Sequence, residues 1–196
     1  MFFTNTQPSD VLTPFVMISI DPGSVTMGVC VSIVAPFTKK MSVVYADTIN
    51  FADLLKAKFD SGVEHFDAGF ARMLVMNQYL QKLFNMYQPS VIAVEASYLG
   101  QHASAYKLLT MTMLTIQSAA FQYYPFVLFK QITPSSVKKD IDVNGGSGDK
   151  TLIPIALAKQ VEVLDLSQVD LAQLDQHAHD AIAVGYSFFK HEVLGI

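Results

Sequence analysis

The stretch Phe15-Val16-Met17-Ile18-Ser19-Ile20-Asp21-Pro22-Gly23-Ser24 decides the fold. From Phe15 to Ile20 it is almost wholly apolar and in part β-branched, the pattern of a central strand buried on both faces. Pro22-Gly23 then stops the strand and leaves Asp21 at its carboxyl end. A carboxylate leaving a dry strand needs a cation or a set of hydrogen-bond donors. Asp21 could equally do no more than open the turn that Pro22 and Gly23 complete. Taken alone, the stretch supports both readings.

Working outward, Thr26 to Val34 reads as a second strand and Met41 to Ile49 as a third. The link Ala35-Pro36-Phe37-Thr38-Lys39 has hairpin length, so the three form an antiparallel meander. Phe66 to Tyr87 has helical spacing at Phe66, Phe70, Met73, Leu74, Leu80, Leu83 and Phe84, and Pro89 ends it. Val91-Ile92-Ala93-Val94-Glu95 is a short buried strand that also finishes on an acid. His102 to Tyr123 is a second helix, with Leu108, Leu109, Met111, Met113 and Leu114 on more than one face. Such a helix is either central to the fold or packed against a partner subunit. Phe126 to Phe129 makes a fifth strand, followed by helices over Ser135 to Asp140, Lys150 to Val163 and Leu174 to His191.

This order predicts an α/β fold with a mixed five-stranded sheet, an antiparallel meander plus two parallel strands, flanked by helices and joined by a right-handed crossover. If the first and fourth strands are parallel neighbours, Asp21 and Glu95 share one sheet edge, where α/β proteins place their ligands.

With 196 residues, 51% of them apolar, the chain supports one well-cored domain over residues 15–196, preceded by a polar, Pro-interrupted arm over residues 1–14 without the basic start of a signal peptide. No segment reaches the length of a membrane span. The one cysteine, Cys30, lies in the apolar run Met27 to Val31, where a buried structural thiol is expected, and a reducing cytoplasm fits. The formal charge of −4 weighs against non-specific nucleic-acid binding. It does not exclude a nucleic-acid substrate, because Lys130, Lys138, Lys139, Lys150 and Lys159 gather in the C-terminal half, and an acidic metal cluster would itself lower the sum. There is no internal repeat, only the glycine-rich patch Gly145-Gly146-Ser147-Gly148.

Two carboxylates at the ends of adjacent parallel strands repel unless protonated or bridged by a cation. A hard divalent ion, Mg²⁺ or Mn²⁺, is the natural bridge. A second group of candidates stands in Gln176-His177-Ala178-His179-Asp180-Ala181. His177 and Asp180 share one helix face, and Ala181, Ile182, Val184 and Phe188 would press that helix onto the sheet. His179 is the competing imidazole, turned roughly 100° from Asp180 around the helix.

Over roughly residues 15 to 190 the chain resembles the RuvC-type Holliday junction resolvases of the retroviral-integrase and RNase H superfamily. The resemblance rests on Asp21-Pro22-Gly23-Ser24 with Gly28 soon after, on Val94-Glu95 and on His177-Ala178-His179-Asp180-Ala181. Between them lie Gln131-Ile132-Thr133-Pro134 with Val137-Lys138, then Gly145 to Lys150. Asp-Pro-Gly is widespread, and the signal lies in the ordered set. The resemblance implies an RNase H-like, homodimeric, Mg²⁺-dependent endonuclease that cuts four-way DNA junctions by paired nicks, with Mn²⁺ able to substitute. Asp21 would be the central ligand of two metal ions, with Glu95 and Asp180 completing the sites. His177 departs from the family, standing where many members have a fourth aspartate. As in some resolvases and the RuvC-like domains of CRISPR effectors, it would ligate metal or help activate water. A polar residue at a helix start facing water is its other reading. Lys107, Lys138, Lys139 and Lys150 fit the family's basic positions loosely and are otherwise solvated surface lysines. Tyr98 matches the aromatic that stacks at the junction centre, and is otherwise a core tyrosine.

Two further readings stand beside this one. Asp-x-Gly after a first strand also opens the phosphate loop of actin-like ATP-binding domains, but those folds need a second similar domain and a later loop of the same kind. A non-catalytic branched-DNA-binding protein would keep the fold and lose the acids, whereas Asp21, Glu95 and Asp180 are all present.

Overall fold

The computed structural model describes residues 13–58, 67–96, 103–143 and 152–196. The first strands are β1 (Phe15–Asp21), β2 (Thr26–Ala35) and β3 (Lys40–Asn50), followed by α1 (Phe51–Lys58), α2 (Ala68–Tyr87) and β4 (Val91–Glu95). Then come α3 (Ala103–Tyr123), β5 (Leu128–Ile132), α4 (Pro134–Asp140), α5 (Leu152–Ala158), β6 (Leu164–Asp165) and α6 (Gln176–Phe189), with a π-helical turn over Lys190–Leu194. Most of the expected N-terminal arm lies outside the described residues.

The sheet is mixed, in the order β5-β4-β1-β2-β3-β6. β1, β2 and β3 form the predicted antiparallel meander, while β4 and β5 continue the sheet in parallel on the far side of β1. The sixth strand is additional to the predicted five: Leu164 and Asp165 pair with Met41 and Ser42 of β3. Two residues carry no periodicity for a sequence reading to detect. α1 was likewise unannounced, although its cap stands in the sequence: Asn50 Oδ1 accepts from the N–H groups of Ala52 and Asp53 at 3.0 and 3.2 Å. β5 begins later than Phe126 because Val127 N donates to Tyr124 O at 3.0 Å, closing a turn around Pro125 and Phe126. α5 ends at Ala158, where Lys159 and Gln160 close 3₁₀-type turns onto Ala156 and Leu157.

Two apolar cores lie on opposite faces of the sheet. Met17, Cys30 and Ala93 pack with α4, α5 and α6; Ile18, Ile20, Val29, Val31, Ile92 and Val94 pack with α2 and α3. Because side chains alternate along a strand, Asp21 continues the Met17 and Ser19 row and Glu95 continues the Ala93 row. Both acids therefore belong to the face covered by α6. The pairing of Ile20 with Val94 brings the two strand ends level.

α6 is apolar nearly all round, with Ala181, Ile182, Ala183, Val184, Tyr186, Phe188 and Phe189 all buried. It lies close on the sheet because glycine stands at two contact points. A Cβ on Gly28 would sit 1.9 Å from the His177 carbonyl oxygen, and one on Gly185 would sit 2.6 Å from Ser19 Oγ. Ser19 Oγ donates to Ala181 O at 2.7 Å, satisfying a buried hydroxyl across the same contact. Gly28 pairs with Asp21 across β1 and β2, so this approach sets the distance from the start of α6 to the first acid. Gly28→Ala is expected to cost about 1–3 kcal/mol in urea unfolding, the scale of overpacking; a variant within about 0.5 kcal/mol of wild type would show that the contact is not limiting.

Candidate active site

Asp21 sits at the end of β1 and is 9% exposed. The turn beyond it is tight: a Cβ on Gly23 would lie 1.9 Å from Thr26 O, a place only glycine leaves free. Ser24 O accepts from Arg72 Nε of α2 at 3.3 Å, and Val25 O accepts from Phe51 N at 2.8 Å. Arg72 is the chain's single arginine and stands outside every motif that the sequence offers.

The other side of the site is the first turn of α6. Asp175 is its N-cap, accepting from Ala178 N at 3.1 Å, and its carboxylate also accepts the Thr48 hydroxyl of β3. Burial alone would raise the Asp175 carboxyl, but these hydrogen bonds and the nearby His177 hold it below the usual carboxylate range. The helix start is thus tied to the meander, and His177 is delivered to Asp21. His177 Nδ1 lies 2.8 Å from Asp21 Oδ2, and His177 Nε2 lies 3.1 Å from Thr26 Oγ1. The His177 side chain is 36% exposed, so it forms one wall of the site and does not simply face water. His179 points elsewhere, as its position on the helix implies: it is buried, with Nε2 2.8 Å from Leu171 O.

Glu95 completes the cluster. Its carboxyl is pushed up from 4.5 to about 7, first by burial and then by the negative charges of Asp21 and Asp180, with a hydrogen bond to Asp21 adding to the effect. The cation of Lys138 opposes this rise, which places α4 beside the acids. Asp180 is half-buried, with Gln176 Nε2 3.4 Å from its Oδ2. Asp21, Glu95, His177 and Asp180, predicted from three separate segments, are therefore brought to one sheet edge.

Among the described residues, no group of three or more His, Cys, Asp or Glu side chains is placed so that it could hold a metal ion as it stands. Part of the donor set is engaged within the protein, Asp21 with His177 and Asp180 with Gln176. The chemistry of the donors fits a hard divalent ion, since carboxylate oxygens dominate and their mutual repulsion is what a cation would relieve. Lys138 and Lys139 are exposed on α4, and Lys107 is exposed on α3, in the layer across the sheet from α4 and α6. Tyr98 and Lys150 lie outside the described residues. Cys30 is fully buried with its thiol pushed up to about 11 by burial, a structural thiol and no nucleophile.

A sheet of this order, with acids at the ends of two parallel central strands and a third on the closing helix, defines an RNase H-like nuclease fold. The family model of the crossover junction endodeoxyribonuclease RuvC matches residues 17–188, and the chain belongs to this family of junction-resolving endonucleases. No curated protein matches the chain significantly by sequence. Among solved structures it is similar to Thermus thermophilus RuvC in complex with a Holliday junction substrate, with a TM-score of 0.67 at 15% identity, covering 92% of this chain and 96% of that one. It is also similar to the yeast mitochondrial Holliday junction resolvase Ydc2, with a TM-score of 0.61 at 14% identity, covering 89% and 77%. A third similar structure is the fowlpox virus resolvase with its substrate Holliday junction DNA, with a TM-score of 0.52 at 13% identity, covering 91% and 99%. At these identities the structural likeness establishes the shared fold.

The raised Glu95 carboxyl has a signed consequence for stability. A carboxyl whose pKa rises from 4.5 to about 7 on folding contributes stability that is complete below 4.5 and is lost as pH climbs through about 7. Glu95→Gln has no charge to bury, so in EDTA its melting temperature is expected to gain on wild type between about pH 5 and about pH 8. A difference that stays constant over that range would contradict the burial of Glu95 beside the other two acids.

Proposed function

We propose that the chain is a homodimeric, divalent-metal-dependent endonuclease that cuts four-way DNA junctions by paired nicks. The observation that carries the metal reading is the gathering of Asp21, Glu95 and Asp180, where burial first and then the charges of the other two acids push the Glu95 carboxyl up to about 7. Asp21, as the most central acid, would be shared between two Mg²⁺ or Mn²⁺ ions, with Glu95, Asp180 and His177 completing the sites. When bound, the ions would supply Lewis acidity for hydrolysis of a phosphodiester, leaving a 5′-phosphate nick. The residues of the chain orient the acids and provide in His177 an imidazole that would hold a metal ion or pass a proton. Lys107, Lys138, Lys139 and Lys150 would meet backbone phosphates, and Tyr98 would stack at the junction centre. A reducing compartment that holds DNA, such as the cytoplasm of a bacterial or phage-infected cell, suits an enzyme with one buried thiol.

A two-fold substrate calls for a two-fold protein. The groove between α2 and α3 supports this reading, because it is lined by Phe70, Met73, Leu74, Met111 and Leu114, with Leu114 60% exposed. Phe121, 67% exposed, extends the apolar surface along α3. Sedimentation is expected to give a dimer for the wild type and a monomer for Leu114→Glu; a wild type that sediments as a monomer at micromolar concentration overturns the dimer.

Cleavage of synthetic four-way junctions, linear duplex and flaps with Mg²⁺ or Mn²⁺ tests the activity directly. Asp21→Asn and Asp180→Asn are each expected to lower junction cleavage by about a hundredfold or more, the scale of removing a principal transition-state stabiliser. Metal-dependent cutting that survives both changes would refute the assignment of the site.

A further inference from the structure

We infer that Thr26 is a positioning residue for His177, setting Nδ1 as the ring nitrogen that faces Asp21 and the cation site. The inference rests on the reading of Asp21 and His177 proposed above. The imidazole is held at both ends, with Nδ1 2.8 Å from Asp21 Oδ2 and Nε2 3.1 Å from Thr26 Oγ1. A carboxylate only accepts, so the tautomer that this arrangement favours carries the proton on Nδ1 toward Asp21 and leaves Nε2 to accept the Thr26 hydroxyl proton.

The platform under that hydroxyl is well anchored. Thr26 is the first residue of β2, and its β-branch restricts the side chain to few rotamers. Its carbonyl is overlaid by Gly23, and the two preceding carbonyls are tied to Arg72 of α2 and Phe51 of α1. These contacts hold the turn after Asp21 against two helices, and so fix Thr26 Oγ1 relative to the acid.

A hydroxyl suits this place because it both donates and accepts. If the Nδ1 lone pair faces a cation, the proton moves to Nε2, and Nε2–H then donates to the same Thr26 oxygen. One contact serves both tautomers without rotating the ring. His179, two residues on, shows the contrast: its Nε2 meets the carbonyl oxygen of Leu171, which can only accept and so locks one tautomer. Groups that hold the far nitrogen of a metal-facing histidine fix its orientation and basicity, and their loss typically weakens metal binding by about 10- to 100-fold.

The test compares wild type, Thr26→Ser and Thr26→Val, with circular dichroism confirming the fold. Long-range ¹H–¹⁵N correlation spectra of the EDTA-treated proteins read the His177 ring directly. Wild type and Thr26→Ser are expected to show the Nδ1-protonated tautomer, and Thr26→Val a displaced Nε2 resonance. Calorimetry with Mn²⁺ is expected to give about 10- to 100-fold weaker binding for Thr26→Val, restored in Thr26→Ser. Junction cleavage should lose kcat with KM for the junction unchanged. If Thr26→Val fails to fold, Thr26→Ala supplies the same comparison. A variant without the hydroxyl that matches wild type in both the ring spectrum and Mn²⁺ affinity overturns the role of Thr26 alone. A wild type that binds no Mn²⁺ overturns the metal reading, and the inference with it.

Discussion

The close seating of α6 on the sheet is the constraint on which the rest of this structure depends. Gly28 admits the His177 carbonyl, Gly185 admits Ser19 Oγ, and the Ser19 hydroxyl is satisfied by Ala181 O. A helix on a sheet normally stands off by the thickness of two side-chain layers; here backbone meets backbone at one end of the contact. A side chain reaches only a few ångströms, so this seating allows residues of the helix's first two turns to meet an acid at a strand end. Asp175, shared between Thr48 and the first helical N–H groups, fixes the rotation of that turn.

Gathering acids in this way works against stability. Burial raises the cost of ionising Glu95, and the charges of Asp21 and Asp180 add to it. The protein offsets part of this with His177 beside Asp21 and Lys138 on α4. The remainder persists as a Glu95 carboxyl held near neutrality, as is common where a site is prepared for a charge that arrives from solution. The apolar cores on both faces of the sheet supply the stability that tolerates this edge.

Much of the architecture could be read from the chain because its strong elements are locally encoded. The buried run before Asp21, the hairpin through Pro36 and the helix ended near Pro89 each carry their own periodicity and stop signals, and each forms where expected. The elements that escaped are short ones whose local signal is weak or that exist only by pairing. β6 is two residues that become a strand only by pairing with β3, and α1 is a single short helix nucleated by its Asn50 cap. β5 slid forward because the turn through Pro125 claimed Phe126, a residue whose apolar character had suggested strand.

The sequence by itself determined the fold class, the family and which acids are candidates for the site, because those follow from local hydrophobic pattern and an ordered set of short motifs. Only the tertiary structure decided which face of the sheet Asp21 and Glu95 occupy, since β1 is buried on both sides and its pattern carries no alternation. It also set His177 against Asp21 and brought Thr26 and Thr48 to the site. The contacts responsible, His177 to Asp21 and His177 to Thr26, join residues 156 and 151 positions apart, and hydrogen bonds over such separations leave no trace in the local sequence.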